Sequence, residues 1–306
     1  MSAERFPGGK APPMVSPFRN DILRGKVALI TGGGSGIGFG IARELGAHGA
    51  SVVIMGRRLE VLDESVKKLQ AAGIAAKAVQ GDVRDYDKCT KVVNEAVSAF
   101  GSLSILVNCA AGNFMSPAER LSSNGFKTVI DIDLNGSFHM CRAAFDALKD
   151  AGDSLIINIS ATLHYKARPF QLHAASAKAG IDNLTRTLGI EWAEHGIRAV
   201  GIAPGPIAGT EGGPTGRVFG TGQKWTEKNV RMLCPIGFFP EVEDIALSAV
   251  FMASTAGRSI TSETLVVDGG QWHDVGPMMQ MMKKTVQKKS DKEKATRQPR
   301  TVNSKL

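Results

Sequence analysis

The sequence contains few of the residue patterns that build disulfide frameworks or metal centres. Its 306 residues include four cysteines without CxxC spacing and six histidines without an HExxH or similar cluster. Scattered cysteines are typical of reduced, partly buried thiols in a protein that is not exported for oxidation. We therefore expect no disulfide framework and no metal site.

Long apolar runs are absent too. No stretch reaches membrane-spanning length, and the N-terminal MSAERFPGGKAPPMVSPFRND lacks the hydrophobic segment of a secretory signal. We expect no membrane span. Hydrophobic residues still make up 43% of the chain, and the 35 glycines are abundant, which favours a globular enzyme over a disordered chain.

The basic charge is confined to one end of the chain. The net charge is +8, and residues 283–306 hold nine basic and two acidic side chains. A solvated, mobile tail is favoured here over a segment that binds nucleic acid or a membrane surface. The remaining chain shows no basic stripe interleaved with aromatic residues, so we expect no nucleic-acid partner.

The chain terminates in Ser304, Lys305 and Leu306. A C-terminal SKL is an address that the peroxisomal import receptor reads. The preceding tail is polar and contains Pro299, which favours an exposed, extended terminus. We therefore expect the peroxisomal matrix as the compartment and the import receptor as a partner.

Short apolar runs rich in β-forming residues alternate with amphipathic helical segments along the chain. The runs are KVALIT, SVVIMG, AAKAVQGDV, SILVNCA, SLIINIS, IRAVGIAPG and TLVVDGG. This alternation predicts an α/β fold, a doubly wound parallel sheet of the Rossmann type with helices on both faces. The predicted organisation is a flexible arm over 1–21, one domain over 22–275 and a basic extension over 276–306.

A glycine-rich loop, TGGGSGIG, lies between the first predicted strand and the first helix. Glycines leave room for a tight turn and for a pyrophosphate to approach the backbone, and the helix N-terminus adds amide donors. The loop therefore predicts a dinucleotide site. The predicted contacts are Gly32, Gly34, Ser35, Gly36, Ile37 and Gly38.

The end of the second strand indicates which nucleotide is bound. An acidic residue there would bind the ribose 2′-hydroxyl of NAD, but this chain has Arg57 and Arg58. Two guanidinium groups suit a 2′-phosphate, so we predict NADPH as the cofactor. The alternative is that both are ordinary surface arginines.

These motifs and those that follow them resemble the short-chain dehydrogenase/reductase family from about Asn20 to Trp272. The segment NCAAG is similar to the family's NNAG, and Ser160 and Lys178 match its active-site serine and lysine. The resemblance implies further cofactor contacts, among them an acidic residue at the adenine and a segment at the carboxamide. They are Asp82, Val83, Asn108, Ala110, Lys178, Pro204, Gly205, Ile207 and Thr210.

The chain departs from that family at two positions. Four residues before Lys178, where the family has a tyrosine that protonates a carbonyl oxygen, stands Ala174. Alanine cannot act as an acid. In addition, Asp133 replaces the usual asparagine of the N-x-x-G segment. A carboxylate is therefore expected beside the lysine where the phenol is missing.

Both departures resemble one subfamily, the peroxisomal 2,4-dienoyl-CoA reductases, as do CAAGNF, FKTVIDID, AKAG and APGPIAGTEG. The resemblance implies NADPH-dependent reduction of 2,4-dienoyl-CoA to 3-enoyl-CoA, an auxiliary step in β-oxidation of unsaturated fatty acids. That reaction delivers its proton to carbon rather than to an alcohol oxygen. Two alternatives stay open: a 2-enoyl-CoA reductase and a catalytically silent NADP-binding scaffold.

The proton source has several candidates. Asp133 would act either directly or as an ionised partner of Lys178 that orients a water, and the second is favoured because a neighbouring ammonium opposes protonation. Tyr165, or its neighbour His164, is the alternative acid or oxyanion donor. Ser160 is expected to orient cofactor or substrate. Asp133 also has a purely structural interpretation, as a cap or a surface carboxylate.

The resemblance also implies an acyl-CoA substrate and a homotetramer built on the long helices. The phosphates of CoA favour basic residues at the cleft mouth, and the Gly/Pro-rich loop over 209–239 is expected to close over the acyl chain. The candidate substrate contacts are Arg57, Arg84, Phe114, Ser122, Ser123, Asn124 and Arg217.

Overall fold

Seven parallel strands form one sheet with the order β3-β2-β1-β4-β5-β6-β7. The computed structural model describes residues 5–7, 10–210, 213, 226–273, 281–282 and 284–286. The strands are β1 Val27–Thr31, β2 Ser51–Gly56, β3 Ala76–Gln80, β4 Ile105–Asn108, β5 Ser154–Ile159, β6 Ile197–Pro204 and β7 Glu263–Val267. The predicted doubly wound parallel sheet is confirmed.

The helices alternate with the strands as the sequence predicts. They are α1 Gly36–Ala47, α2 Leu59–Ala71, α3 Tyr86–Phe100, α4 Ser123–Ile130, α5 Gly136–Ala151, α6 Leu172–Glu191, α7 Glu227–Leu233 and α8 Val242–Ala253. Short 3₁₀ turns cover Ala118–Arg120, Ala193–His195, Thr255–Gly257 and Gln271–His273.

The sheet is buried on both faces, which explains why its central strands are apolar without alternation. All residues of β1, β4 and β5 are buried. One core cluster packs β-strand side chains against α1, α2 and α8. The other packs the opposite face against α3 and α5. Each face thus has its own apolar layer, with the sheet between them.

The strand order reverses direction at β1, which pairs with β2 on one side and β4 on the other. Loops leaving the carboxyl ends of β1 and β4 therefore diverge to opposite faces of the sheet. A crevice opens at such a switch point, and ligands of doubly wound folds bind there. The fold places the predicted nucleotide loop at this crevice.

The helical stretch from α4 to α5 is interrupted. One π-helical stretch, Asp131–Asn135, separates α4 from α5. Next to it, a Cβ at Gly136 would lie 2.5 Å from a methyl of Val83, so only glycine lets this helix approach the loop after β3 so closely. Single π turns inside α-helices occur frequently at functional sites, and this one contains Asp133.

Parts of the N-terminal segment contact the domain. The Ser16 hydroxyl lies 2.7 Å from His48 Nε2, and the Phe6 ring packs edge-on against Phe238 at 5.0 Å between centroids. Among the helices of the described ranges, none is long and apolar enough to cross a membrane. The SKL terminus lies outside the described residues.

Candidate active site

A cavity of about 810 Å³ lies at the carboxyl ends of the strands. It extends from the glycine loop, past the ends of β2 and β4, to the N-terminal part of α6. Most of the residues predicted for cofactor and chemistry line its wall. They are Gly32, Gly34, Ser35, Ile37, Gly38, Arg57, Arg58, Asp82, Val83, Ala110, Asp133, Ser160, Lys178, Pro204, Gly205, Ile207 and Thr210.

The glycine loop has the shape that a pyrophosphate cradle requires. A Cβ at Gly38 would lie 2.4 Å from the Gly32 carbonyl oxygen, and Gly32 itself has φ +67°. Neither position tolerates a side chain, because one is blocked by backbone and the other lies in the left-handed region. Gly36, also predicted as a contact, has φ +53° and does not line the cavity; it shapes the turn.

Asn108 stabilises the floor of the site from behind the cavity wall. Its amide Nδ2 donates to Asn158 Oδ1 at 2.8 Å, and Asn158 Nδ2 donates to Thr185 at 2.9 Å. The Thr31 hydroxyl accepts from the backbone N–H groups of the two residues after Asn108, both at 3.0 Å. Asn108 therefore ties β4 to β5 and α6 instead of facing a ligand.

The two arginines after β2 are exposed and line the nucleotide end of the cavity. Asp82, which lines the same end, is bound by Arg84 Nε at 3.0 Å and by the Arg84 backbone N–H at 3.1 Å. The Arg84 guanidinium holds the pKa of the Asp82 carboxyl below its ordinary value. Exposed guanidinium groups beside a glycine cradle fit a dinucleotide with a 2′-phosphate.

The other end of the cavity holds a buried ion pair. Asp133 Oδ2 lies 3.3 Å from Lys178 Nζ, and its Oδ1 accepts the backbone N–H of Gly112 at 2.7 Å. Lys178 also donates to the Ile159 carbonyl oxygen at 2.9 Å. Asp133 is 1% exposed and Lys178 is 7% exposed. The interpretation of Asp133 as a surface carboxylate is therefore wrong.

Burial dominates the electrostatics at this end. It raises the pKa of the Asp133 carboxyl above its ordinary value, although the Lys178 charge and the Gly112 N–H act in the opposite direction. Cys109, in the same wall, has its thiol pKa raised to about 12 by burial. That thiol stays protonated at neutral pH and is not a nucleophile. Asp133 and Lys178 are therefore the candidates for proton transfer at this end of the cavity.

Tyr165 and His164 do not reach the cavity wall. The Tyr165 ring packs between His164, at 4.4 Å, and Trp272, at 5.6 Å between centroids. His164 Nε2 lies 2.7 Å from the buried Asp182 carboxylate. Burial also raises the pKa of the Tyr165 phenol, which makes it a weaker acid. Both side chains face Asp182, because the loop after β5 turns them behind the wall.

Ser160 and Ala174 face the cavity directly. The Ser160 hydroxyl is buried. Burial raises the pKa of the neighbouring Asp182 carboxyl, but hydrogen bonds from His164 and Ser160 outweigh it and hold that pKa below its ordinary value. Ala174 is 2% exposed, and it follows His173 on the first turn of α6. A methyl group therefore occupies the wall where the phenol of a tyrosine would otherwise stand.

Most of the predicted CoA contacts lie outside the cavity wall. Arg57 lines it, whereas Arg84 is occupied by Asp82 and Ser122 caps α4 by accepting the N–H of Gly125 at 3.0 Å. Ser123, Asn124 and Phe114 are exposed and are not part of the wall. Arg217 and much of the predicted closing loop lie outside the described residues.

Sequence reasoning missed one group of site residues. Gln171 is 2% exposed, lines the cavity, and accepts a 2.7 Å hydrogen bond from Asn113 Nδ2. The neighbouring wall residues Thr162, Leu163, Arg168 and Phe170 were not singled out either. Phe170 has φ +66°, a strained conformation of the kind that clusters at active sites and ligand clamps. Only tertiary contacts identify this group.

No metal centre is found in the parts of the chain that the structure describes: no three His, Cys, Asp or Glu side chains there are arranged to hold an ion. The site instead combines a glycine cradle and two arginines at one end with a buried carboxylate–ammonium pair at the other. Such a cavity can hold a dinucleotide and move a proton without a tyrosine.

Comparisons with known proteins identify the family. The family model described as short chain dehydrogenase matches residues 26–215. The chain is 48% identical over 268 residues to the "Peroxisomal 2,4-dienoyl-CoA reductase [(3E)-enoyl-CoA-producing]" of Arabidopsis thaliana, covering 85% of this chain and 88% of that one. It is 42% identical to the rat (Rattus norvegicus) protein of the same name, covering 86% and 90%. A crystal structure of a short chain dehydrogenase from Bacillus anthracis str. 'Ames Ancestor' superposes with a TM-score of 0.72 at 37% identity, covering 81% and 97%.

Proposed function

The chain belongs to the short-chain dehydrogenase family and is an oxidoreductase, and from that premise we propose that it reduces 2,4-dienoyl-CoA to 3-enoyl-CoA with NADPH. The relatives from Arabidopsis thaliana and Rattus norvegicus are named for the reduction of 2,4-dienoyl-CoA to a 3-enoyl-CoA, and this chain matches most of the length of each. The observation that carries the proposal in this chain is the buried Asp133–Lys178 pair beside Ala174, in a cavity wall without tyrosine.

The residues present fit NADPH at the exposed end of the cavity. The glycine loop leaves no room for a side chain at Gly38, and Arg57 and Arg58 supply positive charge for a 2′-phosphate. We propose that Lys178 binds the nicotinamide ribose in addition to its ion pair with Asp133. When bound, NADPH supplies the hydride. Its selection over NADH is a charge effect, because the wall offers no acidic side chain at the end of β2.

We propose that the reaction delivers its proton to a carbon atom of the substrate. A dienoyl thioester that has gained a hydride at C5 carries its negative charge through the conjugated chain to the thioester oxygen, as a dienolate. Protonation at C2 then gives the 3-enoyl product. The side chains must therefore bring a proton donor above C2 and stabilise an oxyanion. A phenol aimed at an alcohol oxygen has no role in this reaction, which accounts for Ala174.

We propose that an ionised Asp133, held by Lys178 and by the Gly112 N–H, orients the water that protonates C2. The short Gly112 contact of 2.7 Å and the ammonium at 3.3 Å favour the carboxylate form, even though burial raises its pKa. The hydroxyl of Ser160, a buried residue of the cavity wall, is proposed to orient substrate or cofactor. Direct proton transfer from Asp133 is the alternative.

The compartment and assembly follow from the same relatives. We propose the peroxisomal matrix, with Ser304, Lys305 and Leu306 read by the import receptor, because the named relatives are peroxisomal. We also propose a homotetramer through the long helices. Phe138 on α5 is 51% exposed and Ile190 on α6 is 70% exposed, and we propose these exposed apolar side chains as candidates for that interface.

The test is NADPH oxidation by the purified protein with 2,4-hexadienoyl-CoA, with 2-hexenoyl-CoA as the matched substrate. We expect oxidation with the diene alone and a 3-enoyl product. Oxidation of 2-hexenoyl-CoA at a comparable rate would indicate a 2-enoyl-CoA reductase. No oxidation of either, with tight NADPH binding, would contradict the proposal and leave a nucleotide-binding scaffold.

A further inference from the structure

Gln171 is a buried glutamine of the cavity wall whose amide is bound on both sides by protein. Its Oε1 accepts from Asn113 Nδ2 at 2.7 Å. Its Nε2 donates to the carbonyl oxygens of Phe114 at 3.3 Å and of Phe170 at 3.1 Å. A side-chain amide has two N–H donors, so these two carbonyl oxygens leave Gln171 no donor for a ligand. Its contribution to the site therefore comes through the residues that it binds.

The orientation of this amide is determined by its neighbours. Backbone carbonyl oxygens only accept hydrogen bonds, so the nitrogen of Gln171 is the atom that faces Phe114 and Phe170. Its oxygen then faces Asn113, whose amide nitrogen donates to it. The three hydrogen bonds are mutually consistent and require one orientation of the side chain.

The segment that Gln171 binds carries one of the two partners of the buried carboxyl. Asn113 and Phe114 directly follow Gly112, whose backbone N–H donates to Asp133 Oδ1 at 2.7 Å. Gln171 binds the first of them by its side chain and the second by its backbone. A shift of this segment would move the Gly112 N–H away from the carboxyl.

The other partner of the carboxyl lies on the helix that Gln171 begins. Gln171 is the N-cap residue of α6, and its carbonyl oxygen accepts the N–H of Ala175 at 2.8 Å. Lys178 on the same helix forms the ion pair with Asp133. The helix therefore places the ammonium directly and the Gly112 N–H by way of Gln171.

The start of α6 is joined to the same segment at a second point. The carbonyl oxygen of Phe170 accepts from Gln171 Nε2 and from the backbone N–H of Ser116, both at 3.1 Å. Phe170 has φ +66°, a conformation that side-chain-bearing residues rarely adopt and that clusters at ligand sites. The contact between the two segments thus spans several residues and does not depend on one loop tip.

We propose that Gln171 is a positioning residue that keeps the Gly112 N–H on Asp133. The inference rests on the proposed function, because it concerns the carboxylate that orients the proton-donating water. Gln171 acts through Asn113 and Phe114 and transfers no proton itself.

Loss of this contact should change the pH dependence of turnover. The Lys178 charge and the Gly112 N–H lower the pKa of Asp133 against the effect of burial. When the Gly112 bond weakens, the carboxyl keeps its proton to a higher pH, and the fall of kcat on the acid side moves to higher pH with it. The groups that face Asp133 come from α6 and from the segment after β4; they are Lys178, His173, Cys109 and the Gly112 N–H.

The experiment compares wild type, Gln171→Met and Gln70→Met in turnover of 2,4-hexadienoyl-CoA with NADPH across pH. Methionine matches glutamine in length but has no N–H donor. Gln70 is the matched control, because its Nε2 also donates to a backbone carbonyl, that of Ala76 at 3.1 Å, and it does not line the cavity.

For Gln171→Met we expect the plateau kcat to fall roughly 2- to 10-fold, the range that one hydrogen bond contributes. The pH of half-maximal kcat should rise, and the Kd for NADPH, measured by fluorescence titration, should not change. Gln70→Met should match wild type in all three. A lower kcat with an unchanged pH of half-maximal kcat would overturn the proposal, because a general loss of structure lowers kcat without that shift.

Hydrogen exchange followed by mass spectrometry tests the contact without turnover. Amide exchange in the peptide that covers residues 110–114 should be roughly 2- to 10-fold faster in Gln171→Met than in wild type or Gln70→Met. Unchanged exchange would overturn the proposal. Absence of turnover in wild type would overturn the proposed function, whereas the exchange rates would still show whether Gln171 holds the segment.

Asn113→Ala covers the case in which Gln171→Met does not fold. It removes only the 2.7 Å hydrogen bond and leaves the two bonds from Gln171 Nε2 in place. We expect a smaller rise in the pH of half-maximal kcat, and no further rise when Asn113→Ala is added to Gln171→Met, because residues of one network are not additive. An unchanged pH profile in Asn113→Ala, or full additivity in the double variant, would overturn the proposal.

Discussion

The two ends of the cavity are built in different ways. The nucleotide end consists mainly of one continuous loop over 31–38 and the strand end that carries Arg57 and Arg58. The proton end combines Asp133 from a π turn, Lys178 from α6 and the N–H of Gly112. The first end is made of backbone shape and exposed charge, and the second of buried charges that only the tertiary fold brings together.

This difference in construction assigns cofactor binding to one end of the cavity and proton transfer to the other. Backbone shape and exposed arginines can select a cofactor without shifting the pKa of a reactive group. A buried carboxyl beside an ammonium has its proton affinity set by burial and by its neighbours. Changes at the first end should therefore alter cofactor affinity and preference, whereas changes at the second should alter kcat.

The largest expected effect is at Asp133. Asp133→Ala should lower kcat with 2,4-hexadienoyl-CoA by about 10²- to 10⁴-fold, because it removes the group proposed to orient the proton donor. NADPH affinity, measured by fluorescence titration, should be retained, since the glycine cradle is at the other end. Circular dichroism controls for folding. Unchanged turnover would remove Asp133 from the mechanism.

At Gly38 we expect the opposite result, in which NADPH affinity is lost. A Cβ there would lie 2.4 Å from the Gly32 carbonyl oxygen, and forcing it in should cost about 1–3 kcal/mol in the loop, or roughly 5- to 150-fold in NADPH affinity. Gly38→Ala should raise the Kd for NADPH in a titration. Gly73→Ala is the control for backbone strain away from the cavity, because Gly73 has φ +78° and its Cβ would meet nothing within 4 Å; it should cost stability and leave the Kd unchanged. Equal losses in both variants would mean that the loop shape is not what binds the nucleotide.

A smaller effect is expected at Arg58. Charge-assisted hydrogen bonds contribute about 1.5–3 kcal/mol, so Arg58→Ala should lower the NADPH-over-NADH ratio of kcat/KM by about 10-fold or more. Loss of Arg57 in addition should lower it further. Wild type that used NADH as efficiently as NADPH would contradict the 2′-phosphate assignment at this end.

The pH profile tests the proton end without a mutation. Burial raises the pKa of Asp133, and the carboxylate is its proposed active form. The kcat should therefore fall as the pH decreases through that pKa, starting above the range of an ordinary carboxyl. Lys178, Cys109 and His173 are the ionisable groups around it. A kcat that instead rose as the pH fell would indicate that Asp133 donates its own proton.

The smallest effect is expected at Tyr165. Its ring packs against His164 and Trp272 and does not line the cavity. Tyr165→Phe should leave kcat within about 3-fold of wild type, far from the ~10²-fold loss of a removed general acid. A larger loss at unchanged stability would return Tyr165 to the candidates for the proton donor.

Most of the residues predicted from the glycine loop and the end of β2 line one end of the cavity, because these determinants are contiguous in the sequence. Glycines between a strand and a helix indicate a pyrophosphate-binding loop independently of the rest of the sequence. The sheet and its helices were predicted for a similar reason, from local apolar periodicity. Asp133 and Lys178 were identified only through a family resemblance, and their contact became visible in the structure.

Other features of the proton end had no readable signal. Nothing in IDIDLN indicates that the helix takes a π turn, or that Gly136 directly after it packs closely against Val83. Gln171 and His173 look like ordinary residues before and on a helix. Their burial, at 2% and 0% exposure, comes from packing against the segment after β4. Tyr165 illustrates the converse, since sequence proximity to Ser160 did not bring it to the cavity.

The most direct test of the account is to locate the solvent proton in the product. Turnover of 2,4-hexadienoyl-CoA with NADPH in D₂O, followed by NMR of the product, distinguishes the two carbons that can be protonated. The account predicts deuterium at C2 and a double bond at C3. Deuterium at C4 with a double bond at C2 would contradict it, because the water held by the buried carboxylate would then not deliver its proton beside the thioester.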